Sequence, residues 1–579
     1  MKQVFSYLKD YKKECILGPL FKMLEVVFEL FVPLVMAGII DYGIVNADKA
    51  YLWKRGGLLV VLAVIGLSCT LVAQYFAARA ATGFSQKLKS ALFAHIQTLT
   101  YSELDTVGTA TLITRMTSDV NTMQTGVNWV IRLFLRSPCV VLGATILAFV
   151  ISPRTALIFV AVIVLLSLVV FGIMLKNIPM FRSVQNHLDG VLELTRENLS
   201  GARVIRAFQR EPDEMAHFEQ RNQELMRTQM RAARFSALMN PVTYVIVNAG
   251  LAVLIWRGAV QVSVGTLSQG EVVALVSYLS QILVELIKLA NVIIMATKAI
   301  ASGKRIQAVF DRKPSFDRNG TRIQTSGGAA VEFDRVGFAY AGAAGESLSG
   351  ISFAAQPGEV IGVIGGTGSG KSTLVNLISR FYDVTRGAVR VNGRDVREYP
   401  AEQLREHISV VPQKAVLFKG TIRSNLLWGA PEADENQLRD ALECAQAAEF
   451  VFAKERGLDA PVEQGGRNLS GGQRQRLTIA RALVTQPDIL ILDDSASALD
   501  YATEARLRRA LRELPQKPTI FIVSQRTASI RHADRIIVLE DGEAVGIGTH
   551  EQLLRTCPVY AEIDRSQSST ETGAKEAEA

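Results

Sequence analysis

VIGVIGGTGSGKSTLVNLISRF, residues 360–381, decides how the second half of this chain folds. The apolar run Val360–Ile364 reads as a buried strand. It ends in Gly365-Gly366-Thr367-Gly368-Ser369-Gly370-Lys371-Ser372, and from Thr373 apolar residues fall at helical spacing. Strand, glycine-rich loop and helix in that order are the context that G-x4-G-K-[ST] requires. Glycines let the backbone wrap closely and aim N–H groups at phosphate oxygens, and the positive end of the helix dipole adds to the attraction. Lys371 is placed to reach the β and γ phosphates of ATP and Ser372 to hold Mg2+. From about 331 to 560, strand-like runs alternate with helical ones, as expected of an α/β domain.

Working outward, the composition splits the chain. It has 579 residues, 49% of them apolar and 20% charged, with a mean hydropathy of +0.21. Nearly all long apolar runs precede residue 300. Ala156–Leu175 carries no charge, and twenty residues at 1.5 Å each cover about 30 Å, the thickness of the hydrocarbon core. Gly56–Ala78 and Phe235–Trp256 are similarly uncharged. Residues 15–42, 128–151 and 272–297 complete six expected spans, although these three contain charges. Short turns such as Ser152–Thr155 alternate with long polar, helix-favouring stretches such as SQKLKSALFAHIQTL (85–99). The expectation is of helices that leave the bilayer and continue into the cytosol.

Net charge is +8 and the isoelectric point about 9.1. The basic residues flank apolar spans, as in KDYKK (9–13) and RAARF (231–235). Positive-inside topology accounts for them without nucleic acid, and puts both termini and the soluble domain on the cytoplasmic side of a multi-pass cell-membrane protein. The five cysteines are scattered and lack a CxxC, so neither a disulfide framework nor a metal site is expected. The polar opening MKQVFSYLKDYKKE gives no cleavable signal. The expected domains are 1–311, a membrane domain with cytosolic helical extensions; 312–330, a linker; 331–565, the nucleotide-binding domain; and 566–579, a disordered tail.

ILILDDSASALD (489–500) supplies the partner of the glycine-rich loop. A buried strand ending in Asp493 is the usual second support for Mg2+. Between the two lies LSGGQRQRLTIARAL (469–483), in which Ser470 can cap a helix and Gly471 and Gly472 leave N–H groups exposed at its positive end. This string, between a P-loop and a Walker B strand, resembles the signature of ATP-binding cassette (ABC) proteins. The resemblance extends to Gln413 in VVPQ, the Q-loop, also a Mg2+ contact; to Ser497-Ala-Leu-Asp500, the D-loop; and to Tyr340, where such domains stack an aromatic on adenine. LITRMTSDV (112–120) and ENLSGARVIRAFQRE (197–211) resemble cytosolic segments of ABC exporters with six helices fused to one nucleotide-binding domain. The resemblance implies ATP contacts from Tyr340, the P-loop through Thr373, Ser470–Gln473 and Asp500. It also implies two short coupling helices, expected near 108–114 and 208–215.

Two residues depart from the family pattern. The acid after Asp493 is Asp494 where the family has Glu, and the switch loop reads IVSQRT, with Gln525 where the family has His. Asp is shorter by one C–C bond, about 1.5 Å, and misplacement on that scale costs about a hundredfold in rate. Gln hydrogen-bonds a phosphate but lacks the charge of a protonated imidazole. The expectation is a site that binds Mg-ATP and hydrolyses it slowly. Because family sites are shared across a dimer, the resemblance implies a second half-transporter carrying the missing Glu and His, as in bacterial heterodimeric multidrug ABC exporters. A hydrophobic or amphiphilic small molecule is the expected cargo, with lipid, peptide or an ATP-gated regulatory role as alternatives. Glu25, Glu29, Arg132, Arg136, Glu285 and Lys288 lie inside spans. Such charges either pair structurally or line a cavity, where Glu25 and Glu29 would attract cationic amphiphiles. Pairing is the reading carried forward.

Overall fold

The computed structural model describes residues 1–316, 322–323 and 327–577. These divide into two compact units, Met1–Gln97 with Ala110–Arg312, and Thr98–Thr109 with Lys313–Ala579. Part of the expected linker, 317–321 and 324–326, lies outside the described residues.

The first unit holds six helical stretches long and apolar enough to cross a membrane: α1 Gln3–Ile44, α2 Lys49–Thr98, α4 Thr109–Ile151, α5 Pro153–Ser200, α7 Glu211–Ser263 and α8 Gln269–Phe310. Each expected span falls inside one of them. The joints follow local chemistry. Ser152 N-caps α5 with Pro153 in its first turn, a position where proline loses no hydrogen bond. Ser268 and Glu271 form a capping box at the start of α8. Asp41 accepts from Ser268 Oγ (2.5 Å) and the Gly270 amide (2.7 Å), tying the end of α1 to it. The core draws Val26, Val140, Phe159, Leu254 and Tyr278 from five of the six stretches. Outward residues such as Val60, Val64, Leu67 and Leu71 on α2 stay exposed, the face that lipid covers. Turns widened to π geometry interrupt the first and third stretches at Ile39–Ile44, Arg115–Asp119 and Val130–Phe134.

Two short helices differ in position from expectation. α3 covers Tyr101–Val107 and α6 covers Ala202–Ala207, each earlier in the chain than 108–114 and 208–215. α3 begins at a Thr100/Glu103 capping box and stops at Gly108, whose φ of +77° an L side chain rarely adopts. The expected 1–311 membrane domain is corrected on the same ground, since Thr98–Thr109 packs with the second unit. There Tyr101 lies against Phe381, centroids 4.7 Å apart, and Tyr382 donates to Asp105 at 2.6 Å.

The second unit is built on a six-stranded sheet in the order β12 (Glu543–Gly548), β11 (Arg535–Glu540), β3 (Val360–Gly365), β10 (Thr519–Val523), β9 (Ile489–Asp493) and β6 (Ile408–Val411). All pairings are parallel except β11 with β12. β9 is buried along its whole length, as an interior parallel strand must be. An antiparallel sheet containing β1 (Val331–Phe338), β2 (Leu348–Ala355) and β4 (Arg386–Val391) packs its Phe333 and Phe353 into the same core as Phe521 of β10. The 566–579 tail, expected to be disordered, is instead helical to Ala577, as the end of α12 (Pro558–Ala577). Tyr560 and Ala561 bury on one side of that helix, and Gln567 is bonded beyond them.

Candidate nucleotide site

Parallel pairing brings the functional loops to one edge of the sheet. Val363 of β3 faces Val523 of β10, and Val523 faces Asp493 of β9. The P-loop, the two aspartates and the switch loop therefore leave the sheet side by side. Beyond β3 the backbone turns through Gly370, φ +95°, into α9 (Lys371–Ile378). A Cβ at Gly370 would lie 2.8 Å from the Ser347 carbonyl, and one at Gly365 would lie 2.1 Å from that of Leu539, so both positions need glycine.

A cavity of about 360 Å³ opens at this edge, lined by Tyr340, Thr367, Gly368, Gly370, Lys371, Ser372, Thr373, Gln413, Asp493, Asp494 and Gln525 among others. Lys371 Nζ donates to the carbonyls of Gly365 (2.9 Å) and Gly366 (2.5 Å). Burial pushes its ammonium below the usual lysine range, against the pull of Asp494 and Asp493. Arriving phosphate oxygens replace neutral carbonyls with stronger, charged acceptors. Ser372 Oγ donates to Asp493 Oδ1 at 3.0 Å. This hydroxyl–carboxylate pair fits a Mg2+ site of hard oxygen donors completed by nucleotide phosphates. Ser372 and Asp493 would hold the ion, which would supply positive charge to offset that of the nucleotide phosphates. Burial raises the Asp493 carboxyl, with Asp494 adding to the shift; a cation relieves both causes. The Tyr340 hydroxyl shares a hydrogen bond with Thr373 Oγ1 at 3.0 Å, and its ring meets Tyr382 edge-on at 5.2 Å.

Asp494 sits in left-handed backbone, φ +46°. Its amide donates to the Val523 carbonyl at 3.0 Å, and its carbonyl accepts from Ser497 Oγ at 2.8 Å. The backbone is thus held on both sides. Gln413 Nε2 donates to its carboxylate across 3.4 Å, and burial raises that carboxyl above the ordinary range.

The signature residues stand apart from this cavity. Ser470 caps α10 (Gly471–Leu483): its Oγ accepts from the Gln473 amide (3.2 Å) while its own amide donates to Gln473 Oε1 (3.0 Å). Asp500 caps α11 (Tyr501–Arg512) by accepting from the Thr503 amide at 2.8 Å. Neither Ser470–Gln473 nor Asp500 lines the pocket that the P-loop opens.

Family models match both halves of the chain: residues 15–286 the ABC transporter transmembrane region, and residues 348–497 the ABC transporter domain. An uncharacterized ABC transporter ATP-binding protein of Mycobacterium tuberculosis is 36% identical over 572 residues, 98% of each chain. This chain belongs to the ABC exporter family. It is a half-transporter, with the membrane domain first and the nucleotide-binding domain second. A relative of the same description from Bacillus subtilis is 35% identical over 99% of each chain. An ATP-dependent lipid A-core flippase of Hahella chejuensis is 29% identical over 97% of this chain and 98% of its own. A bacterial Atm1-family ABC exporter solved with ATP bound superposes with a TM-score of 0.78 at 22% identity, covering 96% of this chain and 98% of that one. The half-transporter is therefore a multi-pass membrane protein whose ABC domain binds ATP.

Gln567, which sequence reading left in a featureless tail, reaches the switch loop of this exporter. Its Oε1 accepts from the Thr527 amide at 2.9 Å and its Nε2 donates to the Gln525 carbonyl at 2.7 Å. One amide thus holds the backbone on both sides of Arg526. Tyr382 was also missed; its place directly after Phe381 at the end of the P-loop helix region is the available signal.

Proposed function

We propose that this chain is one half of a heterodimeric ATP-driven exporter of amphiphilic molecules. Its own P-loop site binds Mg-ATP and turns over slowly, while its intact signature completes the partner's site. The observation that carries this reading is the fixed backbone of Asp494. With its amide bonded to Val523 and its carbonyl to Ser497, the main chain has no slack to advance a carboxylate that is one carbon short. Gln525 compounds the defect, because no imidazolium faces the γ phosphate. The signature's position outside the chain's own cavity supports use by a second chain.

A groove of about 430 Å³ adds to the case for two chains. It is lined by Phe381, Leu404, Phe418, Trp428 and Arg481, and Trp428, stacked on Phe418 at 4.3 Å, is 63% exposed. On this reading the groove is the seat for a short helix of the partner. The soluble domain and both termini are cytoplasmic on this reading, following the basic flanks of the spans. The test is purification of this chain with and without a half-transporter that carries the catalytic Glu and the switch-loop His. Robust hydrolysis and dye efflux by this chain alone would sink the proposal; activity restricted to the pair supports it.

A further inference from the structure

A second cavity, of about 350 Å³, lies within the membrane unit. Its wall carries four cations, Lys22, Arg132, Arg136 and Lys288, beside Trp129 and Leu133, and no carboxylate. The acids of this region, Glu25, Glu29 and Glu285, are not among the lining residues. Lys22 pairs with Glu25 at 2.6 Å, Lys288 with Glu285 at 2.8 Å, and Arg136 with Glu29 at 2.7 Å and with Glu285. Four cations face three carboxylates, which leaves one positive charge in excess. The excess falls on Arg132, which has no ion pair or hydrogen bond among the described residues and sits on the π-turn Val130–Phe134. Arg136, 7% exposed, has a buried Nε that makes no hydrogen bond and stands 3.8 Å from Glu25 Oε1. The acids are thus consumed in structural pairs, and the feature open to a ligand is positive.

An uncompensated guanidinium within a bilayer is costly, and the cost falls when an anion arrives. Counted at 1.5 Å per residue from the ends of the expected spans 15–42, 128–151 and 272–297, the cations lie about 6–14 Å inside, all toward one face of the membrane. A headgroup at that depth leaves its tail in the hydrocarbon, and Trp129 with Leu133 supply the apolar contact. We propose that this cavity binds the headgroup of a singly anionic amphiphile, a phosphodiester or carboxylate on an apolar body, and selects it over cationic cargo. This names the cargo class and rests on the exporter reading above.

The test uses the full-length chain in nanodiscs of neutral lipid and follows energy transfer from tryptophan to dansylated single-chain amphiphiles. The heads compared are phosphoglycerol, uncharged glycerol and trimethylammonium. The expected result is saturable transfer to the phosphoglycerol probe that Trp129→Phe abolishes, with at least tenfold weaker binding of the other two. Arg132→Gln weakens the anionic probe about tenfold and leaves the glycerol probe unchanged, and Arg132→Lys restores binding. Retention of ATP binding by the Arg132 variants shows that they are folded. Equal affinity for all three heads, preference for the cation, indifference to Arg132→Gln, or full displacement by millimolar inorganic phosphate would overturn the proposal. ATP-driven movement of the probes in vesicles containing both chains separates the two claims. Movement of only neutral or cationic probes sinks the anionic site and leaves the exporter. Intact anionic binding with no movement of any amphiphile sinks the exporter reading and leaves the site.

Discussion

On the proposed reading, Asp494 and Gln525, two side chains that follow adjacent strands, set the slow step at this chain's own site. Because backbone bonds hold Asp494 in position, restoring the missing carbon is a local repair. Asp494→Glu with Gln525→His is expected to raise hydrolysis at this site by one to two orders of magnitude, about what a 1–2 Å correction is worth. Single-turnover measurement with labelled ATP checks it. Glu103 acts at the same scale. It accepts from the Thr100 amide at 2.9 Å and from the Thr100 and Ser315 hydroxyls. Burial opposes its ionisation, and these hydrogen bonds outweigh it, leaving the carboxyl below the ordinary glutamate range. A lowered folded value means that its stabilisation is present above the unfolded value, about 4.3, and is lost as pH falls through the folded one. Glu103→Gln is therefore expected to speed amide exchange across Tyr101–Val107 at pH 7, and the difference from the parent should close on acidification. An unchanged exchange rate at pH 7 would count against this role.

Among elements, α3 and α12 are the two that bear on the nucleotide site from outside it. α3 reaches it through rings: Tyr101 packs on Tyr382 at 6.3 Å, and Tyr382 meets Tyr340 at 5.2 Å. Tyr382→Phe removes the bond to Asp105 and keeps the ring. It is expected to leave ATP affinity within about twofold while reducing substrate stimulation of the ATPase severalfold, as an interaction made through α3 requires. α12 holds the switch loop through Gln567. Gln567→Ala leaves the buried Thr527 amide without its partner, at a cost of about 1 kcal/mol, and faster exchange at Thr527 should report it. The parallel core and the P-loop were legible because strand runs, glycines and Lys371 sit within one short window. α3 was misplaced although its Thr100/Glu103 box and Gly108 are local, because long helices on either side share its apolar spacing. The polar composition of 566–579 predicts disorder, whereas α12 continues through it to Ala577. Its anchor within that segment, Gln567, acts through bonds to Gln525 and Thr527, residues distant in sequence, which composition does not register.

At the level of the whole molecule, the chain joins an intact P-loop to Asp494 and Gln525, and its signature lies outside the cavity that the P-loop opens; the proposal reads the pair as a weakened hydrolytic set. On that proposal, rapid turnover depends on another half-transporter. In the two-chain complex, replacing the partner's catalytic glutamate by glutamine is expected to abolish most hydrolysis, whereas Asp494→Asn in this chain changes the total little. Nucleotide trapped at this chain's P-loop should persist through several cycles of the partner site. The most direct measurement is single-turnover hydrolysis resolved by site in that complex. The account predicts one fast and one slow site, with this chain's P-loop at the slow one. Two sites of matched rate, or a homodimer of this chain hydrolysing at the same rate as the pair, would contradict it.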